Sequence, residues 1–569
     1  MESSCNAAGG SNQQQEEPQV SCLDGQECPG PTEACPALEE GEGMLRVRSA
    51  GGDVVLALTA PEAVGLTVAK VRAMVAEATS KSPQEVMLMD GAVVLKQTRL
   101  MKEVFASRTI VELQAIVRRL PQVDPEKPLP EQLAIMMQML ESDCDDLQQC
   151  AAMQLRKLLS KEQDPPINDI IAAGLVPKLV HALQDSECSK ETQHDAAWAL
   201  TNVASGCTQH VQVLIDEGTL PAFISKLSAA DRDLQDQCVW GIGNIAGDSV
   251  QMRDAVLAGG AMRPLVALLQ PHEPNEDGNE NIIQSAIAPL SMVRNGTWAL
   301  SNLCRHKPPP NLEALVPALE VLPQLLTNSD QEVLADACWA VSYLADGDND
   351  RIEAVVRSGV CKRLVELLSH NSELISAPAL RAVGNILSGE AHHTQALLQC
   401  GAVQPILQLL ANSPKAKTKK EACWSMSNIT AGTEEQIQVA IDAGLAPVLH
   451  ELEEGETHVR KEAAWVISNA FTGGSPKQAH IVAESALAPL LTYLQECVDL
   501  DIRVAKGILD AVKAVLDKGA TLKTEQGLAQ NPLLQILIEN DCEDLCTKLM
   551  SREDDLAEKA REILQDLKI

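Results

Sequence analysis

The chain is 569 residues long, too long for one hydrophobic core, so it must divide into domains or extend as a stack of repeating units. Its 79 Asp and Glu against 46 Lys and Arg give a net charge of −33, which repels nucleic acid and anionic membrane and attracts cationic partners. Aromatic residues make up 2% of the chain, so its cores must be filled by Leu, Val, Ile, Ala and Met, which suits stacked helices.

Residues 1–43 contain no Lys or Arg and are rich in Gln, Glu, Ser, Gly and Pro, which predicts a disordered acidic tail. No basic stretch followed by an apolar one opens the chain, and no run nears 18 uninterrupted apolar residues. Neither a secretory signal nor a membrane span is expected. The 17 Cys are scattered without pairing periodicity, many beside Ala or Val, as at Cys238, Cys338 and Cys423. They read as buried, reduced thiols of a cytosolic or nuclear protein. Cys22, Cys28 and Cys35 lack a close Cys-x-x-Cys pair, so no metal site is expected among them.

From Met44 the texture changes. Leu45-Arg-Val47 and Val54-Val-Leu-Ala-Leu58 flank Ser49-Ala-Gly-Gly-Asp53, a hairpin with a glycine turn. Thr67 caps a helix with Val68, Val71 and Val75 on one face. Val86-Met-Leu-Met89 before Asp90-Gly91 predicts a further strand and turn, and Thr109-Ile-Val-Glu-Leu113 a last strand. Strand, strand, helix, strand, strand over residues 44–118 resembles a ubiquitin-like β-grasp module of α+β class. The segment runs into Arg118-Arg-Leu-Pro121 where ubiquitin ends in Gly-Gly, so docking is expected of it, not conjugation.

Residues 119–140, with their Pro-punctuated stretch from Pro121 to Pro130, read as a linker. Residues 141–569 form an all-α array of about ten repeats with a common grammar. A short helix ends at Gly174, Gly218, Gly260, Gly359, Gly401 or Gly444, and Pro177, Pro221, Pro264, Pro405 or Pro447 opens the next. A third helix completes the unit. Three helices per unit at this length is the armadillo pattern, a superhelical solenoid whose units bury their apolar faces only by stacking. The charged segment from Cys542 to Ile569 reads as a terminal cap, and His272-Glu-Pro-Asn-Glu-Asp-Gly-Asn-Glu280 as an acidic surface insertion.

The third helices carry one phrase. Trp198-Ala-Leu-Thr-Asn202 returns as Trp240…Asn244, Trp298…Asn302, Trp424…Asn428 and Trp465…Asn469, with Trp339…Tyr343 and Arg381…Asn385 as altered members. Steps are about 41 to 43 residues, except from Trp240 to Trp298, where the insertion lies. Residues four apart share a helix face.

A Trp at helical spacing is ordinarily core. Here three features favour display on an inner, concave wall. All six Trp of the chain stand in this series, so no other helix needs one for packing. An Asn beside each Trp is costly in an apolar layer unless satisfied. Like positions of successive repeats also align into a ladder. Carboxamides match the N–H and C=O of an extended peptide, and indole faces accept the stems of Lys and Arg, with cation–π attraction of ~0.5–2 kcal/mol each. Asp248, Asp336, Glu421 and Glu462 stand near the rings to receive the cationic ends. The inferred ligand is an extended peptide rich in Lys and Arg.

Arg156-Lys-Leu-Leu-Ser160, Pro165-Pro-Ile-Asn-Asp-Ile-Ile171, Trp198 to Gly206, Gly243-Asn-Ile-Ala-Gly-Asp248, Glu332 to Trp339 and Ala379 to Asn385 together resemble the importin-α family over roughly residues 141 to 565. The resemblance implies a nuclear import adaptor of cytoplasm and nucleus that binds nuclear localisation signals. It implies a major site of Trp198, Asn202, Ser205, Gln237, Trp240, Asn244, Asp248, Trp298 and Asn302. It implies a minor site of Arg381, Asn385, Glu421, Trp424, Asn428, Glu462, Trp465 and Asn469. Between them Arg305, Asp336, Trp339 and Tyr343 form a linker region, where positive Arg305 discourages a lysine. The family binds importin-β through a basic amino-terminal segment. Residues 1–43 hold no basic residue, so the resemblance does not carry that partner over. Val211 stands where the family has a Thr near the deepest lysine pocket, which predicts a lost hydroxyl and weaker lysine binding.

Lys415-Ala-Lys-Thr-Lys-Lys420 reads as solvated lysines of an inter-helix loop, and His392-His393 as surface residues without acidic company. With no phosphate loop, nucleophile elbow, acid–base pair or zinc signature, neither catalysis nor a cofactor or metal is expected. Two alternatives to the adaptor remain: an armadillo scaffold for folded or acidic partners, and a chaperone or sink for basic proteins without importin-β-dependent transport.

Overall fold

The computed structural model describes residues 44–81, 86–90, 93–95, 99–105, 110–117, 123–142, 144–270, 289–552 and 554–567. The predicted tail 1–43, Gly91, Arg118 to Pro121 and the acidic insertion around His272 to Glu280 lie outside them.

The first module is a sheet wrapped on a helix. β1 (Met44–Ser49) and β2 (Val54–Thr59) form the expected hairpin, closed by the Ser49 N–H bonding to the Asp53 carbonyl, with Gly52 at φ 91°. β3 (Val86–Asp90), a two-residue β4 (Val93–Val94) and β5 (Ile110–Val117) complete the order β2-β1-β5-β3-β4, in which β1 and β5 run parallel. The short β4 is one strand more than the sequence pattern suggests, since two residues carry no readable alternation. Strand alternation sends Leu45, Val47, Val86, Leu88, Val111 and Leu113 inward, onto Val68, Val71 and Val75 of the helix Val68–Ala78. Thr67 Oγ1 caps that helix by accepting the Lys70 N–H at 3.3 Å.

The same helix ties this module to the array. Arg72 Nη1 donates to both carboxylate oxygens of Asp146, at 2.6 and 2.5 Å, with the two side chains 9% and 3% exposed. Arg72→Leu leaves Asp146 buried without this counter-charge. A destabilisation of about 3 kcal/mol is expected by chemical denaturation, largely restored in Arg72→Leu with Asp146→Leu, since a buried pair replaced whole by apolar groups costs little.

The array begins earlier than the predicted boundary at 141. Leu129–Leu140 is a helix whose Leu133, Met136 and Met139 join the core, so only residues before 129 are left for the predicted 119–140 linker. Pro130 sits in its first turn, where a missing N–H is harmless; the punctuation that suggests a linker is a helix start. Among the described residues the helices fall into ten units sharing one core from Leu133 to Leu567. Gly174, Gly218, Gly260, Gly359, Gly401 and Gly444 bend the chain at φ between 70° and 89°, a region open to residues without a Cβ. In two units that lack that glycine the two short helices fuse, into Leu312–Leu325 and Pro476–Cys497, while in the last unit Asp541 at φ 53° keeps Pro532–Glu539 and Cys542–Leu549 apart. No described helix is long and apolar enough to cross a membrane.

The Lys415–Lys420 stretch is not a loop. Ala416–Thr430 begins there, and Lys415 and Lys419 pair with Glu373 and Glu451 at 2.8 and 2.5 Å.

Candidate peptide-binding groove

The ladder helices pack in series: Asp145–Leu159, Lys190–Ala204, Arg232–Asp248, Leu290–Cys304, Gln331–Ala345, Glu373–Leu387, Ala416–Thr430, Thr457–Gly473 and Ile502–Gln526. Six of these helices carry one Trp each, and Arg381 takes that place in Glu373–Leu387. No Trp is fully buried: Trp198, Trp298, Trp339, Trp424 and Trp465 are half-buried and Trp240 is 41% exposed. Trp298 packs on Gly243, Trp424 on Gly384 and Trp465 on Gly507, and a Cβ at any of these glycines would collide with the ring. The glycines thus let these three indoles lie directly against the neighbouring helix while staying partly exposed.

The carboxamides have a structural duty that sequence reasoning missed. Each donates through Nδ2 to the preceding unit: Asn202 to Ser160 Oγ (3.0 Å), Asn244 to Thr201 O (3.2 Å) and Asn302 to Gly243 O (3.1 Å). Asn385 donates to Ser342 O (2.8 Å), Asn428 to Gly384 O (3.3 Å) and Asn469 to Ser427 O (3.0 Å). This satisfies the Asn inside the stack and fixes its plane, leaving Oδ1 and a second N–H for a ligand. Asn302 and Asn385 are buried, so those two rungs offer least.

In the first half, Gln237 Nε2 and Asp248 Oδ2 are enclosed yet have no hydrogen-bond partner among the described residues. Asp248 ends the helix Arg232–Asp248, where its charge adds to the negative end of the helix dipole. Its Oδ1 accepts from Thr208 Oγ1 at 3.0 Å. Val211 is buried in the core, and Thr208, which sequence reasoning passed over, is the residue whose hydroxyl meets Asp248. Ser205 is exposed and donates to Asn202 O at 2.8 Å. Arg156, also missed, lies with Cζ 4.7 Å from the Trp198 ring centroid and pairs with Asp195 at 2.6 Å. It holds the Trp position of the first unit, and a search for Trp alone passes over it.

In the second half, Arg381 Nη1 donates to both oxygens of Glu421, at 2.9 and 2.8 Å, and its Cζ lies 5.3 Å from the Trp424 ring centroid. Glu462 is half-buried near Trp465, and burial raises its carboxyl above the usual range. Between the halves Trp339 stacks on Tyr343, with centroids 5.7 Å apart, and the Arg305 side chain is exposed. Asp336 is more enclosed; burial, then the charge of Glu332, push its carboxyl up to about 7. The unfolded chain releases this proton at about pH 4, the folded chain only near 7, so stability falls as pH rises between those values. Asp336→Asn is therefore expected to raise Tm by a few degrees above pH 7 and to leave it unchanged near pH 4, read by thermal unfolding across that range.

His392 and His393 do have acidic company. Both Nε2 atoms lie 3.1 Å from Glu353 Oε2. His393 Nδ1 accepts the Glu390 N–H at 3.0 Å, so its proton is on Nε2 and points at Glu353, an arrangement satisfied without a metal.

A family model described as Armadillo/beta-catenin-like repeat matches residues 163–205, 207–247, 308–346, 348–388 and 391–431. Importin subunit alpha-1a of Oryza sativa subsp. japonica is 42% identical over 315 residues, covering 55% of this chain and 57% of that protein. Importin subunit alpha-5 of Arabidopsis thaliana is 46% identical over 348 residues, covering 61% of this chain and 64% of that protein. The matches thus span rather more than half the length of each relative. A crystal structure of an engineered protein superimposes with a TM-score of 0.64 at 25% identity, over 77% of this chain and 99% of that one. The repeats, the ladder and these relatives agree: the chain folds as an armadillo-repeat solenoid and is similar to importin alpha subunits over rather more than half their length.

Proposed function

We propose that this chain is a nuclear import adaptor, moving between cytoplasm and nucleus, that binds Lys/Arg-rich nuclear localisation signals as extended peptides along its Trp/Asn ladder. One observation carries the reading above the rest. Asp248 Oδ2 is an enclosed carboxylate oxygen without a partner among the described residues, set at a helix end that favours cations, on the helix that carries the exposed Trp240. An ammonium group on a long alkyl stem satisfies all three at once. In this reading Trp198, Trp240 and Trp298 flank the slots of the major site, and Trp424 and Trp465 those of the minor site. The remaining Asn atoms take the peptide backbone irrespective of its sequence. The net charge of −33 steers such a ligand in and makes its association salt-dependent.

Calorimetric titration with a peptide carrying two basic clusters, against the same peptide with its Lys changed to Ala, tests this. The first is expected to bind at micromolar concentration or tighter and the second not to bind; equal heats from both would end the reading. The absence of Lys and Arg from residues 1–43 favours a second reading, a sink for basic proteins that does not engage importin-β. Capture of importin-β by the peptide-loaded chain separates the two: retention supports the adaptor, its loss the sink.

A further inference from the structure

Within the ladder, Trp298 rests on Gly243 and Trp424 on Gly384, each three places past the ladder position of the preceding helix. At the step from Gln331–Ala345 to Glu373–Leu387 the series places Arg381 where an indole stands elsewhere, and Ser342 is the residue on which that indole would rest. Arg381 is drawn the other way, to Glu421 at 2.8 Å and over the Trp424 ring. What remains is a cleft of about 600 Å³ walled by Trp339, Ser342, Tyr343, Leu374, Ala377 and Pro378.

The charges of this cleft are already matched from within. Glu373 is held by Lys415 at 2.8 Å and by the Thr418 hydroxyl, Asp346 by Lys307 at 2.9 Å, and Glu421 by Arg381. Lys417 adds a further positive charge to the lining. A lysine entering here finds no free acid, in contrast to the carboxylate oxygen of Asp248 that has no partner among the described residues. The uncommitted walls are apolar, and Leu374, 74% exposed on the first turn of its helix, is a large aliphatic side chain left to solvent. Burying it and the open face of Trp339 is the main gain available to an occupant.

The geometry points to a site for one large apolar side chain, aromatic for best fit, carried by the segment of a bound peptide between its two basic clusters. This rests on the peptide-binding reading above and adds to it. The stretch between the clusters is then a third recognition element that selects against lysine and for an indole or phenyl ring in the place of the missing rung.

The test uses the full chain and a two-cluster basic peptide with a Gly/Ser spacer through which a single Trp is walked. One or two spacer positions are expected to bind roughly tenfold tighter than the all-Gly/Ser peptide. That gain should vanish in Leu374→Asp, at an exposed position that folding does not need, and in Ala377→Trp, which fills the cleft from within. Both variants should bind the all-Gly/Ser peptide as the native chain does. No gain at any position, or a gain that persists in both variants, overturns the cleft assignment while leaving the groove intact. Failure of the all-Gly/Ser peptide to bind the native chain removes the groove reading, and the cleft with it.

Discussion

Asp248→Lys is expected to weaken binding of a single-cluster basic peptide by at least roughly a hundredfold, because losing one member of an enclosed charge pair costs about 2–5 kcal/mol and reversal adds repulsion. The substitution separates binding from folding. The native carboxylate stands at the unfavourable end of a helix dipole and has one oxygen unpaired. An ammonium there favours the helix, so Tm should hold or rise while affinity collapses. A protein that unfolds, or that binds as before, contradicts the role given to Asp248. Asp248→Asn is the graded control: it keeps the size and the contact with Thr208, loses the charge, and should give an intermediate loss.

Trp240→Ala should weaken the same peptide by roughly ten- to a hundredfold, the sum of about 0.5–2 kcal/mol of cation–π attraction and the apolar burial of one lysine stem. Its ring is 41% exposed, the most open of the ladder, so its removal leaves little cavity and Tm should shift by no more than a few degrees. Trp298→Ala differs, because the Trp298 ring covers Gly243, and its loss should lower both affinity and stability. An indole used only as packing would reverse the pattern at Trp240, with stability falling and binding unchanged.

The ladder was legible in the sequence because its period exceeds any single helix and its aromatic residue occurs nowhere else in the chain. The bends were legible at Gly174 or Gly401 because a sharp turn needs positive φ there, and in the grasp module the glycine turn between two apolar runs marked the first hairpin. Pairings across the chain were not. Asn302 gives its N–H to Gly243, 59 residues away, and Arg72 meets Asp146 across 74 residues; neither leaves a local trace. The first repeat was read 12 residues late because Pro130 marks a helix start as readily as a linker. Arg156 escaped because it occupies an indole position with a different side chain. The cleft beside Arg381 depends on which way one guanidinium turns, and that is decided by Glu421 in the next repeat.

All six tryptophans belong to the ladder, so their emission reports on this face of the molecule and no other. Titration with a two-cluster basic peptide that itself lacks aromatic residues should give a saturable change in tryptophan emission, with the midpoint found by calorimetry. The change should be absent for the Lys→Ala peptide and smaller in Trp240→Ala. Heat of binding without any change in emission would place the peptide elsewhere on the chain and contradict the account.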